Sequence, residues 1–423
     1  MTQLKPGIRT ASRLRERFRL PDFFVDQLSN ELLQSLQDTD GSIQSLLLET
    51  YADAGYSNAL EKVFLEVYYS VRSLLSDRGR ASLQRKYLLG RTTSFPAWPL
   101  DHTADALLEH QLARVMRETG LESLPFIWYW PNHSSACAIV THDVETERGK
   151  GLCQKLIDVD TSFGIRGSFQ IVPEKRYEVS PSFLADIRSQ GFEVAVHDLN
   201  HDGRLFLNEK TFSQRIAKVN RYGKAFGSPG FRAGVMYRNQ RWFDQLDFEF
   251  DMSVPNTARF EPQGGGCCSV MPYFIGRLLE IPLTTAQDYT IFHILKTFSP
   301  ELWFQQVDAI FKKHGLISVL THPDYIMEPK AVATYRVLLE RLASLRERNG
   351  LWVATPCELN HWWRQRADLR LEKQNGDWRI VGDGADRASI AYAVRSDDSI
   401  SYVLSGKEFS PSSPQPTAFL CSQ

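Results

Sequence analysis

Several polar residues in the middle of the chain have the types and the spacing that metal-assisted hydrolysis requires. Asp143 and Glu145 lie two positions apart, so on a strand both carboxylates point to the same face. His197 and His201 lie four positions apart, which brings two imidazoles to one side of a helical or turn-like segment. One carboxylate and two imidazoles leave positions on an ion open for water and substrate, as in a catalytic rather than a structural metal site.

Three more polar residues, Arg232, Asp251 and His322, also fall at the ends of short apolar runs that predict strands. In an α/β barrel the C-terminal ends of the strands meet on one face, where the following loops carry the functional side chains. A buried strand end does not accept a charge without a partner, because desolvating an unpaired carboxylate costs on the order of several kcal/mol or shifts its pKa. The coincidence of these residues predicts one site better than any single residue does.

The elements that must position these residues begin at about position 136, where apolar runs of strand type alternate with amphipathic segments of helical type. Repeated β-then-α units of this length predict a parallel sheet, and about eight of them favour a barrel over an open sheet. After AIVTHDVE and GSFQIVP, the predicted strands are 193–197, 230–233, 248–254, 278–283, 317–322 and 351–354. The predicted helices are 151–163, 211–226, 301–314 and 331–348.

The regions on either side of this alternation have different patterns. Before it, apolar residues such as Leu60, Val63 and Val67 recur at helical spacing. After position 363, short alternating runs predict strands, and Asn375-Gly376 is a hairpin signal between two of them. We therefore predict three parts, which are a helical N-terminal region over 1–130, an α/β barrel over 131–365, and a β-rich appendage with a tail over 366–423.

The order of the polar residues resembles the motifs of the NodB homology domain, found in the polysaccharide deacetylases of carbohydrate esterase family 4. The resemblance covers roughly residues 136–356. The first motif, commonly TFDDG, is THDVE here, and the two histidines match the second, while GFRAG, FDMSVP and SVLTHPD are similar to the third, fourth and fifth. Because both usual prolines of the third motif are missing, the backbone amide that would bind an oxyanion is placed only near Gly234 or Val235.

The resemblance implies a catalytic role for four residues and a distorted barrel of the NodB type as the fold. Asp143 would be the general base, and Arg232 would keep it ionised by charge pairing. Asp251 would orient His322, which as the general acid would protonate the departing amine.

The resemblance also implies a metal site made of Glu145, His197 and His201. Val144 occupies the position of the usual second Asp, so the ligand role passes to Glu145. The ion would be divalent, with zinc the first expectation and cobalt or manganese the others. It would polarise the acetyl carbonyl and lower the pKa of its bound water.

The composition is typical of a globular protein, with 43% hydrophobic and 23% charged residues and a net charge of −1. Without a global basic field, neither nucleic acid nor an anionic membrane is an expected partner. No apolar run approaches the roughly 20 residues of a membrane span, and the N-terminus lacks the pattern of a secretory signal. The resemblance implies a metal-dependent hydrolase that removes the N-acetyl group of an amino sugar. Because the secretory pattern is lacking, we expect it to be cytoplasmic and to act on a lipid-linked or soluble precursor of a polysaccharide. The oligomeric state is not predicted.

Two other functions remain open on the sequence alone. Related barrels are reused for hydrolysis of other C–N bonds such as cyclic amides, and fold does not fix function. The altered first and third motifs are also compatible with a carbohydrate-binding protein that has a degenerate site. Release of acetate would distinguish deacetylation from the first alternative. Stoichiometric binding of a metal ion by the protein would exclude the second.

Some residues have a structural interpretation that competes with the functional one. The strand phase points His142 away from Asp143, so we expect it to be structural. Asp251 could instead cap a turn with Ser253. The adjacent Cys267-Cys268 is a weak candidate for a thiolate metal clip, and the cluster FIWYWP is expected to pack in the core rather than to stack on a sugar.

Overall fold

The computed structural model describes residues 12–21, 30–53, 83, 85–91 and 94–404. The helical pattern around Leu60 and the tail beyond Leu404 lie outside these residues. Within the described part, each helix is too short or too polar to span a bilayer.

The described strands and helices follow the alternation that the sequence predicts. The strands are β1 (Ser123–Ile127), β2 (Ala136–Val144), β3 (Ser168–Ile171), β4 (Glu193–His197), β5 (Gly230–Arg232), β6 (Phe250–Asp251), β7 (Tyr273–Ile275), β8 (Leu278–Glu280), β9 (Leu316–Thr321), β10 (Leu351–Val353), β11 (Arg370–Gln374), β12 (Asp377–Val381), β13 (Ile390–Ser396) and β14 (Ser399–Leu404). The α-helices are α1 (Ser12–Phe18), α2 (Asn30–Leu47), α3 (Thr50–Asp53), α4 (Thr103–Glu118), α5 (Glu147–Thr161), α6 (Pro181–Ser189), α7 (Glu209–Phe226), α8 (Glu301–Lys312), α9 (Pro323–Ile326), α10 (Pro329–Asn349) and α11 (Pro356–Asp368).

The central sheet contains β2 to β10, and all of its pairs are parallel except β7 with β8. The strands from β2 to β6 pair in chain order, and β6 continues to β8. On the other edge of β2 lies β9, while β10 pairs with the first residues of β2. Every residue of β2 is buried, as expected for a strand covered on both faces.

A short segment after β8 joins the two ends of this sheet. The backbone N–H of Thr285 donates to the carbonyl of Ser318 in β9 over 3.3 Å, and the N–H of Ser318 donates to Oγ1 of Thr284 over 2.8 Å. On its other side the segment bonds to the chain after β6, where the N–H of Asn256 donates to the carbonyl of Leu283 over 2.7 Å. The sheet is therefore curled into a distorted barrel, closed by a few bonds rather than by a full strand.

Four of the helices begin at residues whose side chains cap the first turn. Thr146 caps α5 by accepting a hydrogen bond from the N–H of Gly149, immediately after Glu145. Ser180 and Asn208 cap α6 and α7 in the same way. Thr355 and Glu358 form a capping box at the start of α11. Thr146 and Thr355 lie two residues after the last residues of β2 and β10, so these two caps mark where the strands end.

The N- and C-terminal regions both pack on the barrel. β1 pairs with β13, and β13 pairs with β14, while β11 and β12 form the hairpin predicted at Asn375-Gly376. Helix α4 packs against α2 and β14. The predicted fold class, a distorted α/β barrel with a helical N-terminal region and a small β-rich appendage, is confirmed. The predicted limits of the three parts stay a prediction.

The aromatic cluster before β2 belongs to the core. Phe126, Trp128 and Trp130 have no exposed surface, and Tyr129 is only 2% exposed. The rings of Phe126, Trp128 and Tyr129 pack on Tyr402 of β14, and Phe126 also packs on Phe18 of α1. Trp130 packs on Trp363 of α11. The expectation that this cluster packs rather than stacks on a sugar is confirmed.

A buried ion pair ties the N-terminal region to the barrel. Oε2 of Glu49 accepts from Nε of Arg238 over 2.6 Å and from Nε2 of Gln240 over 3.0 Å. Its Oε1 accepts from the N–H of Gly266 over 2.7 Å and from Nη2 of Arg238. Because Glu49 and Arg238 are both buried, removal of the carboxylate would take the charged acceptor away from two donors of a buried guanidinium.

We predict that Glu49→Ala lowers the free energy of unfolding by about 3–5 kcal/mol, the range for breaking a buried ion pair from one side. Denaturant titration of the full chain measures this change. The control is Glu118→Ala, which breaks the exposed pair of Glu118 with Arg114 and is expected to cost less than about 1 kcal/mol. Equal effects of the two variants would contradict the prediction.

Candidate active site

The residues singled out in the sequence converge at the C-terminal ends of β2, β4, β5 and β9. Oε1 of Glu145 is the point on which three imidazoles meet. It lies 2.9 Å from Nε2 of His201, 3.4 Å from Nε2 of His322 and 3.7 Å from Nε2 of His197. Oδ2 of Asp143 lies 3.5 Å from the same nitrogen of His197.

Two of the imidazoles present a buried nitrogen that no hydrogen bond satisfies. Nε2 of His197 and Nε2 of His201 are buried without a hydrogen-bond partner among the described residues, although the latter is close to Glu145. Nδ1 of His197 lies 3.2 Å from the carbonyl oxygen of Arg232, which can only accept, so Nδ1 carries a proton. In the neutral ring Nε2 then keeps a free lone pair, which is the tautomer that a metal ligand requires.

The donor set fits a divalent ion. One ligand atom each from Glu145, His197 and His201 lies within 4.8 Å of the others. The separations of 2.9 and 3.7 Å from Oε1 of Glu145 bracket the spacing of about 3.3 Å between ligands held roughly 2.0–2.1 Å from a tetrahedral ion. Two imidazoles and one carboxylate, with unsatisfied nitrogens, match the ligands that zinc accepts at an open site.

The carboxylates of this group are held in their charged form. Burial alone would raise the pKa of Asp143, but Arg232, His197 and His322 outweigh it and lower that pKa. Burial opposes the charge of Glu145 too, and the three histidines, led by His201, bring its pKa well below its usual value. In turn, Asp143 and Glu145 overcome burial and raise the pKa of His197. The site therefore favours positive charge between its carboxylates, either as protons or as a metal ion.

Arg232 is fully buried and joins several strands at the site. Its Nη1 donates to Oδ1 of Asp143 over 2.7 Å, and also to Thr141 over 3.0 Å and to Gln170 over 3.3 Å. Its Nε donates to the carbonyl of Met252 over 3.0 Å. The expected pairing of Arg232 with Asp143 is therefore present, and the guanidinium has no exposed surface.

The carboxylate that contacts His322 is Asp288, which the sequence analysis did not single out. Nδ1 of His322 lies 2.7 Å from Oδ1 of Asp288, and the N–H of His322 donates to Oδ2 of Asp288 over 2.7 Å. Burial would lower the pKa of His322, but Asp288, helped by Glu145, raises it well above its usual value. This histidine is therefore held as a cation whose Nδ1–H donates to Asp288 and whose Nε2–H faces the site.

Asp251 has a different position from the one expected. Its two oxygens accept from Oγ of Ser253 over 2.7 Å and from the N–H of Ser253 over 2.9 Å. Oγ of Ser253 accepts in turn from the N–H of Ala233 over 2.8 Å, directly after Arg232. The expectation that Asp251 orients His322 is corrected, because Asp288 makes that contact. Asp251 supports the strand end that carries Arg232.

A tight turn after β5 forms one wall of the site. Gly234 approaches the second histidine so closely that a Cβ there would lie 2.9 Å from Cδ2 of His201 and 2.4 Å from Oδ2 of Asp198. Val235 has a φ of 60°, a left-handed conformation that a β-branched residue rarely adopts. Val235 and the next residue, Met236, line the cavity described below. This turn includes Gly234 and Val235, near which the sequence analysis expected a backbone amide that would bind an oxyanion.

A cavity of about 140 Å³ opens beside these groups. Asp143, Glu145, His201 and His322 line it at the reacting end, and its other polar lining includes Glu261. The polar groups that converge in one cavity and carry perturbed pKa values make it the natural place for a substrate.

His142 and the pair Cys267-Cys268 lie outside the group of residues around Glu145. His142 faces away from the cavity, with Nδ1 2.8 Å from Oγ1 of Thr321 and Nε2 2.7 Å from Oδ2 of Asp160, so its structural role is confirmed. Cys267 and Cys268 are buried and belong to none of the metal-competent clusters found among the described residues. The thiolate clip therefore gains no support.

Solved structures that resemble the chain in part were found, whereas the sequence matches no protein-family model and no curated protein. A Mycobacterium smegmatis protein assigned as a polysaccharide deacetylase shares 19% identity, with 56% of this chain and 93% of that chain covered and a TM-score of 0.46. Puue allantoinase shares 13% identity, with 56% of this chain and 92% of that chain covered and a TM-score of 0.44. Peptidoglycan deacetylase PdaC from Bacillus subtilis shares 13% identity, with 56% of this chain and 94% of that chain covered and a TM-score of 0.34. The activities of these proteins are not carried over to this chain by such similarity.

We predict that Asp288→Asn lowers the pKa of His322 in metal-free protein, because it removes the negative charge that lies closest to the ring. The ring signals of His322, followed by NMR as the pH is changed, measure the shift. Asp251→Asn is the matched control, and it should leave the pKa of His322 almost unchanged because Asp251 bonds Ser253 instead. A larger shift in the control than in Asp288→Asn would restore the role first expected for Asp251.

Proposed function

We propose that the protein is a metal-dependent deacetylase that hydrolyses the N-acetyl group of an amino-sugar saccharide. The observation that carries this proposal is the pair of buried, unsatisfied Nε2 atoms of His197 and His201 around Glu145, next to a carboxylate held by a buried arginine. A structural metal site would have its ligand positions filled, and a simple binding site would not need an ionised buried Asp143.

Glu145, His197 and His201 would hold the divalent ion, for which zinc fits best and cobalt or manganese are the alternatives. When bound, such an ion supplies Lewis acidity toward a carbonyl and toward water. His197 is oriented for this role by its Nδ1–H, which donates to the carbonyl of Arg232.

Asp143 would act as the general base. Its Oδ1 accepts from Arg232, which leaves Oδ2 to accept a proton from water beside His197. The lowered pKa keeps Asp143 ionised at neutral pH, so the base is present in its active form. Arg232 is not able to take up that proton itself, because a guanidinium stays charged.

His322 would act as the general acid. Its raised pKa keeps the ring protonated, and the pairing of Nδ1–H with Asp288 leaves the Nε2 proton for transfer to the departing nitrogen. A backbone amide of the turn 234–236 would donate to the developing oxyanion, a role supported by the unusual conformation of Val235 at the cavity. An acid and a base with pKa values shifted in opposite directions are suited to splitting an amide bond.

The proposed substrate is an N-acetylated saccharide. Carbohydrate specificity comes from the motif resemblance, which covers roughly residues 136–356. A cytoplasmic precursor of a polysaccharide is proposed from the sequence alone.

We predict that purified protein binds close to one zinc, cobalt or manganese ion per chain and releases acetate from N-acetylated chitooligosaccharides. Replacement of both ligand histidines, His197→Ala with His201→Ala, or of Glu145 by Ala should abolish metal retention. Asp143→Asn should retain the ion but lower kcat by about 10²–10⁴-fold, the contribution typical of a positioned proton-transfer group. Elemental analysis and acetate assays measure these effects.

The matched control is His110→Ala, an exposed histidine on α4 that should change neither metal content nor acetate release. Two results would contradict the proposal in different ways. Wild type that cannot be loaded with any of the three ions would exclude the hydrolase mechanism. Loaded wild type that releases no acetate from any N-acetyl saccharide would leave the metal site but exclude deacetylation of these substrates.

A further inference from the structure

The cavity has a second pair of polar side chains, Glu261 and Gln287, that the proposed reaction does not use. Both line the cavity, with exposures of only 8% and 7%. Nε2 of Gln287 donates to Oε1 of Glu261 over 2.6 Å. Among the described residues, no other hydrogen bond engages the second carboxylate oxygen of Glu261 or the amide oxygen of Gln287, so both oxygens remain available as acceptors.

The pairing of Glu261 differs from that of the other carboxylates that surround the reacting groups. Asp143 is paired with Arg232, and Asp288 is paired with His322. Among the described residues, no basic side chain lies within ion-pair distance of Glu261, whose pKa is raised by burial despite more distant cations. Burying a carboxyl group without a counter-charge is unfavourable in free energy. A ligand that supplies hydrogen-bond donors would offset this penalty of the unliganded protein.

The N-terminal region holds this pair in place. Arg91 donates through Nη1 to the carbonyl of Glu261 over 2.6 Å and through Nη2 to the carbonyl of Pro262 over 3.1 Å. Leu88 packs with Phe260 and lines the same cavity. The segment 85–91 is therefore built into the cavity wall at the point where Glu261 is presented.

We propose that Glu261 and Gln287 form a specificity site that binds a hydrogen-bond-donating substituent of the substrate, a hydroxyl or an ammonium group, beside the acetylated nitrogen. The inference rests on the proposed function for the location of that nitrogen. Two acceptor oxygens face a donor, and a carboxylate disfavours an anionic substituent at the same place. Aromatic rings of Tyr289 and Tyr325 also line the cavity and would pack on the apolar face of such a ligand.

The test compares Glu261→Gln and Glu261→Ala with wild type, using fully N-acetylated chitobiose and chitobiose with one free amine. Glu261→Gln keeps the size of the side chain and an acceptor for Gln287. The control is Glu372→Gln, an exposed glutamate on β11. Acetate release gives kcat/KM, and saturation-transfer NMR gives binding of each sugar without turnover. Circular dichroism melts verify that both variants fold.

If the site binds a hydroxyl, Glu261→Ala loses about tenfold or more in kcat/KM on both sugars, while Glu261→Gln stays within about threefold. If it binds an ammonium, both Glu261→Gln and Glu261→Ala lose about tenfold or more, and only on the sugar with the free amine. Either result supports the inference. Variants that equal wild type on both sugars would overturn it.

The binding measurement separates this inference from the proposed function. Wild type that binds the sugars but releases no acetate would refute the deacetylase and not the specificity site, provided that Glu261→Ala weakens the NMR effect. Equal binding by wild type and Glu261→Ala, or no binding by wild type, would overturn the inference whatever the acetate assay gives.

Discussion

The rest of the site depends on one buried ion pair, between Arg232 and Asp143. The arginine lies on β5, and through its donors it contacts side chains of β2 and β3 and the carbonyl of Met252 after β6. The guanidinium has no exposed surface; its Nε and Nη1 donate to these partners, which offsets part of the cost of burying the charge, while Nη2 has no hydrogen-bond partner among the described residues. The pair therefore fixes the register of the strand ends and at the same time keeps Asp143 ionised. Loss of either partner would leave a charge unpaired inside the barrel, so stability and chemistry are linked at this point.

The N-terminal region belongs to the site rather than being an accessory to it. Glu49 binds Arg238 next to the turn of residues 234–236, and Arg91 binds the backbone beside Glu261. Both contacts act on loops that line the cavity. The conformation of a loop is fixed by the residues that pack on it, so the shape of the cavity depends on segments more than 100 positions away in sequence. The N-terminal region therefore helps to hold the loops that line the cavity, a role that its composition alone does not indicate.

Sequence patterns predicted the barrel and most of the site because both follow from local rules. Apolar runs that alternate with amphipathic segments specify the parallel strands, and the i, i+2 spacing that joined Asp143 to Glu145 also includes Thr141, whose hydroxyl contacts Arg232. Asp288 was missed because it follows no strand run and meets His322 only through tertiary packing 34 positions away. Asp251 was misassigned for the same reason, since its local turn with Ser253 was visible in the sequence while its distance from His322 was not.

We propose that Glu145 takes the ligand position left by Val144 and completes a metal site with His197 and His201. An anomalous difference map from crystals loaded with zinc tests it most directly, with data collected on both sides of the zinc absorption edge. We expect one peak within about 2.0–2.2 Å of Nε2 of both histidines and of a carboxylate oxygen of Glu145. The absence of a peak at this position, or a peak bound by the histidines without Glu145, would contradict it.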